Sequence, residues 1–163
     1  MDGVLITGVF GSGKSSVAAE ITYLLEQRAQ PYALLDLDYL GWVGDHELGY
    51  RMMLRNLAAV APNYREAGIE TYVLAYFVSD RAARRSIAQA LGVPLRVVRL
   101  VLPMPDIEQR LASDVTSGRR DDLRDATGSV AAGEGVGVED IVISNDRPVA
   151  TVAREVMSWL GWR

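Results

Sequence analysis

A glycine-rich segment near the amino terminus has the clearest chemical signature in the sequence. Residues 8–16 read Gly-Val-Phe-Gly-Ser-Gly-Lys-Ser-Ser and directly follow the apolar run Val4-Leu5-Ile6. This spacing fits G-x-x-x-x-G-K-[ST], in which glycines let backbone N–H groups turn inward around phosphate oxygens. The helix predicted to begin near Gly13 adds the positive end of its dipole. We call residues 8–16 the phosphate-binding loop.

Two side chains of this loop predict ATP and Mg²⁺ as cofactors. Lys14 is the only lysine of the chain, and the other 16 basic side chains are arginine. A compact ammonium reaches phosphates inside such a loop, where the broad guanidinium fork would not fit. Ser15 offers a hydroxyl ligand for Mg²⁺. The predicted nucleotide contacts of the loop are Gly8, Phe10, Gly11, Ser12, Gly13, Lys14, Ser15 and Ser16.

A pair of carboxylates follows the second predicted strand, in Leu34-Leu35-Asp36-Leu37-Asp38. Side chains at i and i+2 of an extended chain point to the same side. One carboxylate could hold the water shell of Mg²⁺, and the other could accept a proton from an attacking hydroxyl. We assign the metal site to Ser15 and Asp36, and keep both Asp36 and Asp38 as catalytic candidates because the sequence does not tell which is the base.

Composition limits the alternatives. The chain has 163 residues, no cysteine and a net charge of −4, which favours one globular domain and argues against a nucleic-acid surface. Its first residues lack the pattern of a signal peptide, and no apolar run is long enough for a membrane span, so we expect a cytoplasmic protein without a membrane partner. With the single lysine used by the loop, no Asn-Lys-x-Asp element can select guanine, which favours ATP over GTP.

Strands alternate with helices along the whole chain. The predicted strands cover residues 4–8, 32–36, 69–78, 95–102 and 140–143. The predicted helices cover residues 15–28, 45–66, 80–91 and 148–160, with another polar helix from residue 105. This order predicts an α/β fold with a parallel sheet covered on both faces. Ligands should bind beyond the carboxyl ends of the strands.

With these residues in place, the chain resembles the small-molecule kinases of the phosphate-loop class, closest to their adenylylsulfate kinase-like branch. Shikimate, gluconate and chloramphenicol kinases are wider relatives. The resemblance implies a three-layer α/β/α P-loop NTPase fold with a five-stranded sheet of order 2-3-1-4-5. It also implies one kinase domain over residues 1–163, with a substrate-binding region at about 41–66 and a lid at about 105–137.

The same resemblance suggests further site residues. Arg110, Arg119 and Arg120 match lid arginines that act on the transferring phosphoryl group. The late loop that packs on adenine in these kinases is similar to residues 143–148, which places Asn145, Arg147 and Pro148 at the nucleotide. The turn Ser79-Asp80-Arg81 with Arg84 matches the arginines that bind the acceptor. The stretch 128–137 is so rich in glycine that we expect it to be the hinge of a moving lid.

The acceptor is left open by these patterns. Asp38, Trp42, Arg51, Arg55, Arg81 and Arg84 are the candidate substrate-binding residues. After Asp38 the chain reads Tyr39-Leu40-Gly41-Trp42, where an adenylylsulfate kinase has Asn-x-x-Arg, and this departure argues against sulfate activation. The favoured function is transfer of the ATP γ-phosphoryl group to a hydroxyl or phosphate of a small molecule, by a monomer or homodimer. The alternatives are an antibiotic or natural-product kinase and a non-catalytic nucleotide switch.

Overall fold

The computed structural model describes residues 1–113 and 118–162, without the side chain of Arg119. Five parallel strands form one sheet in the order β2-β3-β1-β4-β5. The strands are β1 (Asp2–Thr7), β2 (Ala33–Asp36), β3 (Thr71–Ala75), β4 (Leu95–Val101) and β5 (Ile141–Ser144). The helices are α1 (Lys14–Glu26), α2 (His46–Glu66), α3 (Arg81–Leu91), α4 (Met104–Ala112), α5 (Arg119–Ala132) and α6 (Val149–Leu160), with a 3-10 helix at Leu37–Leu40. The predicted α/β fold and strand order are confirmed.

The alternation of side chains along β1 separates two apolar layers. Val4 and Ile6 face a core shared with α1 and α6, whereas Leu5 faces a core shared with α2 and α3. All three side chains are fully buried, as expected for the central strand of a parallel sheet. The sheet therefore fixes one edge at which the strands end and the polar loops begin.

Short polar side chains define where the helices on that edge begin. The carboxylate of Asp45 accepts a hydrogen bond from the Leu48 amide at 2.7 Å and caps α2. Asp80 caps α3 in the same way through the Ala83 amide at 2.8 Å. Each cap supplies an acceptor for a backbone donor that has no partner within its helix. The helices that follow β2 and β3 thus start at fixed positions beside the phosphate-binding loop.

The segment between β4 and β5 differs most from the prediction. The charged, glycine-rich part of the predicted lid covers residues 117–137, of which Ser117 lies outside the described residues. Most of it is the helix α5, held by packing of Ala126 and Leu123 against Ile107 and Leu111 of α4. Gly128 lies inside this helix, so the left-handed glycines are confined to the end of the predicted hinge. Motion of the hinge stays a prediction.

None of the described helices is both long and apolar enough to span a bilayer.

Candidate active site

The phosphate-binding loop has a backbone that only glycine can form. Gly8, Gly11 and Gly13 have φ angles of 148°, 78° and 92°, which side-chain-bearing residues rarely adopt. A Cβ atom on Gly8 would lie 2.7 Å from the carbonyl oxygen of Leu100, and one on Gly13 would overlap the Asn145 amide. The loop is therefore closely enclosed by the ends of β4 and β5.

Lys14 is a buried cation at the start of α1. Its ammonium donates to the carbonyl oxygen of Val9 at 3.1 Å and lies 5.3 Å from the centre of the Phe10 ring. Burial lowers the pKa of Lys14 to about 8, although Asp38 and Asp36 act in the opposite direction. Lys14 forms no ion pair with any residue that the structure describes. A buried ammonium inside a ring of glycines fits a phosphate ligand, which would supply the missing negative charge.

Ser15 and Asp36 meet at the carboxyl ends of β1 and β2. The Ser15 hydroxyl donates to Oδ2 of Asp36 at 2.8 Å. Oδ1 of Asp36 accepts from the Asp38 amide at 3.3 Å and so caps the 3-10 helix. A hydroxyl and one carboxylate form a donor set that suits Mg²⁺, which keeps several water ligands. Within residues 1–113 and 118–162, no cluster of three or more metal-binding His, Cys, Asp or Glu side chains exists, so an all-protein metal cage is absent there.

Asp38 lies on the wall of a cavity of about 100 Å³. Burial, and then repulsion by Asp36, raise the pKa of its carboxyl group, while Lys14 opposes the rise. Across the cavity, burial and the nearby Asp38 raise the pKa of Tyr76 to about 12, so its hydroxyl stays protonated. We call this space the Asp38 cavity. Its lining residues are Leu37, Asp38, Gly41, Val43, Asp45, His46, Gly49, Tyr50, Met53 and Tyr76.

Asn145, directly after β5, holds the phosphate-binding loop through a side-chain hydrogen bond. Its side chain is 3% exposed, and its amide nitrogen donates to the carbonyl oxygen of Ser12 at 2.7 Å. Arg110 of α4 donates to the backbone oxygen of Asn145 at 2.8 Å. Asn145 was predicted to contact the nucleotide, and Arg110 was predicted to act on the transferring phosphoryl group. The structure brings both to the loop, where Asn145 supports the loop backbone and Arg110 supports Asn145.

A comparison with protein families matches residues 2–128 to the adenylylsulphate kinase model. The chain belongs to the adenylylsulphate kinase family. No curated protein shows a significant sequence match.

Several solved structures share the fold of this family member. An unliganded sugar kinase from Janibacter sp. HTCC2649 has a TM-score of 0.73 at 18% identity, over 99% of this chain and 95% of that one. The Mycobacterium tuberculosis APS kinase CysC in complex with AMPPNP and APS has a TM-score of 0.65 at 24% identity, over 98% and 97%. The Deinococcus radiodurans tunicamycin resistance protein has a TM-score of 0.66 at 20% identity, over 99% and 96%.

Three arginines predicted to bind substrate in this family member are placed elsewhere. Arg51 and Arg55 are exposed on the side of α2 opposite Met53, and Arg51 pairs with Glu47 at 3.3 Å. Arg84 donates to both carboxylate oxygens of Asp140, at 2.9 and 2.7 Å, and to the carbonyl oxygen of Val138. Because Asp140 directly precedes β5, Arg84 lies at the amino-terminal edge of the sheet, away from the phosphate-binding loop. None of these three arginines lines the Asp38 cavity, and their contacts with a substrate stay predictions.

The remaining predicted residues lie at or near the ligand edge of the sheet. Arg81 donates to the carbonyl oxygen of Gly137 at 2.9 Å and so connects the end of the predicted lid to the turn after β3. Arg147 pairs with Glu155 at 2.6 Å on the surface, and Pro148 precedes α6. Trp42 is 75% exposed. Their contacts with ligands stay predictions.

Sequence reasoning missed a lid carboxylate. Asp122, in the first turn of α5, raises the pKa values of both Lys14 and Asp38, so this end of α5 lies near the phosphate-binding loop. The predicted lid residues Arg119 and Arg120 begin the same helix. Asp122 gave no signal in the sequence because nothing there placed residues 119–132 in a helix over the loop.

A second space was also missed. It is a largely apolar cavity of about 180 Å³ beside Gly8 and Val9, and residues 133–136 form another part of its wall. Arg99 of β4 lies on its wall and pairs with Glu139 at 3.1 Å. The sequence gave no indication of this cavity because its walls come from loops far apart in the chain.

Proposed function

We propose that the protein is an ATP- and Mg²⁺-dependent kinase that transfers the γ-phosphoryl group to a hydroxyl of a small molecule. The observation that carries this proposal is the position of Asp38. This carboxylate lies in the wall of the Asp38 cavity and also acts electrostatically on Lys14 of the phosphate-binding loop. A nucleotide switch needs the loop but has no use for a half-buried carboxylate in the wall of a cavity beside it.

The phosphate-binding loop would hold the nucleotide. Lys14 and the inward-facing backbone amides bind the β- and γ-phosphates, and Asn145 keeps the loop in its binding shape. Ser15 and Asp36 would hold Mg²⁺, which would supply positive charge to the same phosphates. Adenine would lie against residues 145–148.

The two carboxylates take different roles. Both oxygens of Asp36 are engaged, one by the Ser15 hydroxyl and the other by the Asp38 amide, so Asp36 supports the metal site and the local turn. Asp38 is then the base that orients the acceptor hydroxyl and takes its proton. The acceptor oxygen forms a bond to the γ-phosphorus as the bond to the bridging oxygen breaks and ADP leaves.

The lid would exclude water and supply positive charge. Arg110 lies beside Gly13, and Arg119 and Arg120 begin the helix α5 near the loop. Closing these groups over the phosphates would stabilise charge that develops during transfer.

An acceptor screen tests the proposal. Purified protein is incubated with ATP, Mg²⁺ and pools of sugars, nucleosides and natural products, and ADP release is measured against samples with excess chelator. We expect Mg²⁺-dependent ADP release that rises at least about tenfold with one pool, and a phosphorylated product in that pool by mass spectrometry. Tight ATP binding without acceptor-dependent turnover in any pool would contradict the proposal and favour the nucleotide switch.

A further inference from the structure

The charges around the Asp38 cavity show which acceptors it would favour. Two carboxylates, Asp38 and Asp45, line the cavity together with the hydroxyls of Tyr50 and Tyr76. The lining residues that the structure describes include no lysine or arginine. The acidic side chains in this lining therefore favour a positively charged acceptor over a negatively charged one.

The arginines that could have reversed this sign do not line the cavity. Arg51 and Arg55 lie on the outward side of α2, and Arg84 is held by Asp140 at the opposite edge of the sheet. The helix α2 instead presents His46, Gly49, Tyr50 and Met53 to the cavity. No arginine of α2 or α3 thus lines the Asp38 cavity.

The rim of the cavity suits a ring. Tyr39 and Trp42 flank the lining residues Asp38, Gly41 and Val43 in the chain, and their rings stack at 5.5 Å with 20° between the planes. Both are about three-quarters exposed, at 74% and 75%. Exposed aromatic faces bind ring compounds and attract cations.

We infer that the acceptor is a hydroxyl-bearing ring compound that carries an amine and no acidic group. This inference rests on the proposed kinase function. Such an acceptor would distinguish the protein from kinases with anionic acceptors. The reason is that two carboxylates, and no lysine or arginine among the described residues, line the cavity wall.

Matched compounds test the inference. One set is glucosamine, glucose and glucuronate, and the other is 5′-amino-5′-deoxyadenosine, adenosine and adenosine 5′-monophosphate. Binding to protein loaded with AMPPNP is measured by tryptophan fluorescence, and transfer is measured with ATP and Mg²⁺. Within at least one set we expect the amine to exceed the acid by about tenfold or more in affinity and in kcat/KM, with the neutral compound between them.

Asp45→Asn isolates the charge, because asparagine caps a helix as well as aspartate does. We expect this variant to reduce the amine-to-acid ratio by about threefold or more and to keep its melting temperature. Asp80→Asn is the matched control, since Asp80 caps α3 but does not line the Asp38 cavity. This control should leave the ratio unchanged.

The binding and transfer measurements separate two failures. Preference for the acid in both sets would overturn the inference, and so would an equal change of the amine-to-acid ratio in Asp45→Asn and Asp80→Asn. Neither result would contradict the proposed kinase function. Preferential binding of the amine without any transfer would support the charge preference and overturn the kinase function on which it was built.

Discussion

At the scale of single residues, Lys14 is the side chain whose environment most directly reflects a ligand. Its ammonium is buried among glycine backbone and an aromatic ring, with a pKa lowered from 10.5 to about 8 by burial. This shift corresponds to a cost of about 3 kcal/mol for keeping the group charged in the folded protein. A bound phosphate would offset that cost, which makes Lys14 a destabilising residue kept for binding.

Replacing Lys14 by methionine should therefore stabilise the protein and remove its function. We expect Lys14→Met to raise the melting temperature of the ligand-free protein by about 5 °C, because the buried charge is gone. Nucleotide binding by calorimetry and ATP turnover should both be lost. A variant that melts lower than the parent would contradict the cost of the buried charge. A variant that still turns over ATP would contradict the role of Lys14 as a phosphate ligand.

The same pKa predicts how binding depends on pH. In the folded protein Lys14 loses its proton above pH about 8, whereas in the unfolded chain it keeps the proton up to a pH of about 10.5. The unfolded chain therefore binds more protons over this pH range, and the stability of the ligand-free protein rises with pH. Phosphate needs the charged form, so nucleotide affinity should fall by up to about tenfold per pH unit above 8, with proton uptake on binding. Calorimetry from pH 7.5 to 9.5 in buffers of different ionisation enthalpy measures both quantities.

Lys14→Arg provides the control for this dependence, because a guanidinium stays charged over that range. It should bind nucleotide weakly and with a flat pH profile. A similar loss of affinity with pH in the arginine variant would assign the dependence to another group.

At the scale of elements, two side-chain amides hold the two halves of the site. Asn145 bonds the carbonyl oxygen of Ser12 in the phosphate-binding loop, and Asn56 of α2 bonds the carbonyl oxygen of Leu40 at 2.6 Å, at the end of the 3-10 helix. One contact shapes the nucleotide side, and the other shapes the rim of the Asp38 cavity. Loss of either amide leaves a backbone acceptor without its partner, at a cost of about 1–3 kcal/mol.

The two contacts predict that each variant affects the KM of a different substrate. Asn145→Ala should raise KM for ATP by about tenfold and leave KM for the acceptor unchanged. Asn56→Ala should raise KM for the acceptor and leave ATP affinity unchanged. Steady-state kinetics with each substrate varied in turn, alongside melting temperatures, distinguishes the two. Equal effects of both variants on both substrates would mean that the amides only stabilise the fold.

Sequence patterns predicted the elements better than the contacts between them. Alternating apolar runs and the glycine loop were enough to predict the strands and the helices on either side of the sheet, and to place Lys14, Ser15 and Asp36 at one edge of it. The role of Asn145 was not predictable, because its partner Ser12 lies far from it in the chain and the two meet only when β5 joins the sheet. Helix α5 was missed because its apolar contacts depend on packing against α4.

At the scale of the whole molecule, Arg84 joins α3 to the far edge of the sheet. Its position after β3 suggested an acceptor contact, but its guanidinium reaches Asp140 and the carbonyl oxygens of Val138 and Leu95. Asp140 also accepts from the Val97 amide at 2.8 Å, so one carboxylate links α3, β4 and the segment before β5. A sequence motif could not show on which side of α3 this arginine leaves the helix.

Arg84→Ala tests this structural role. We expect the variant to lose about 1–3 kcal/mol of unfolding free energy in denaturant titrations, because Asp140 would lose its charged partner. The kcat/KM for the acceptor should not change. Arg85→Ala is the control, since Arg85 is exposed one position further along α3, and its stability should match the parent. A loss of acceptor affinity in Arg84→Ala alone would restore it as a substrate ligand.

The division of roles between Asp36 and Asp38 is the central claim, and transfer by Asp38→Asn tests it most directly. With the identified acceptor, this variant should lose about 100-fold or more in kcat, because no base takes the hydroxyl proton. Its affinity for AMPPNP with Mg²⁺ should stay within about threefold of the parent, since Ser15 and Asp36 still meet at 2.8 Å. Full transfer by Asp38→Asn would contradict the account and leave the carboxylate a structural part of the cavity wall.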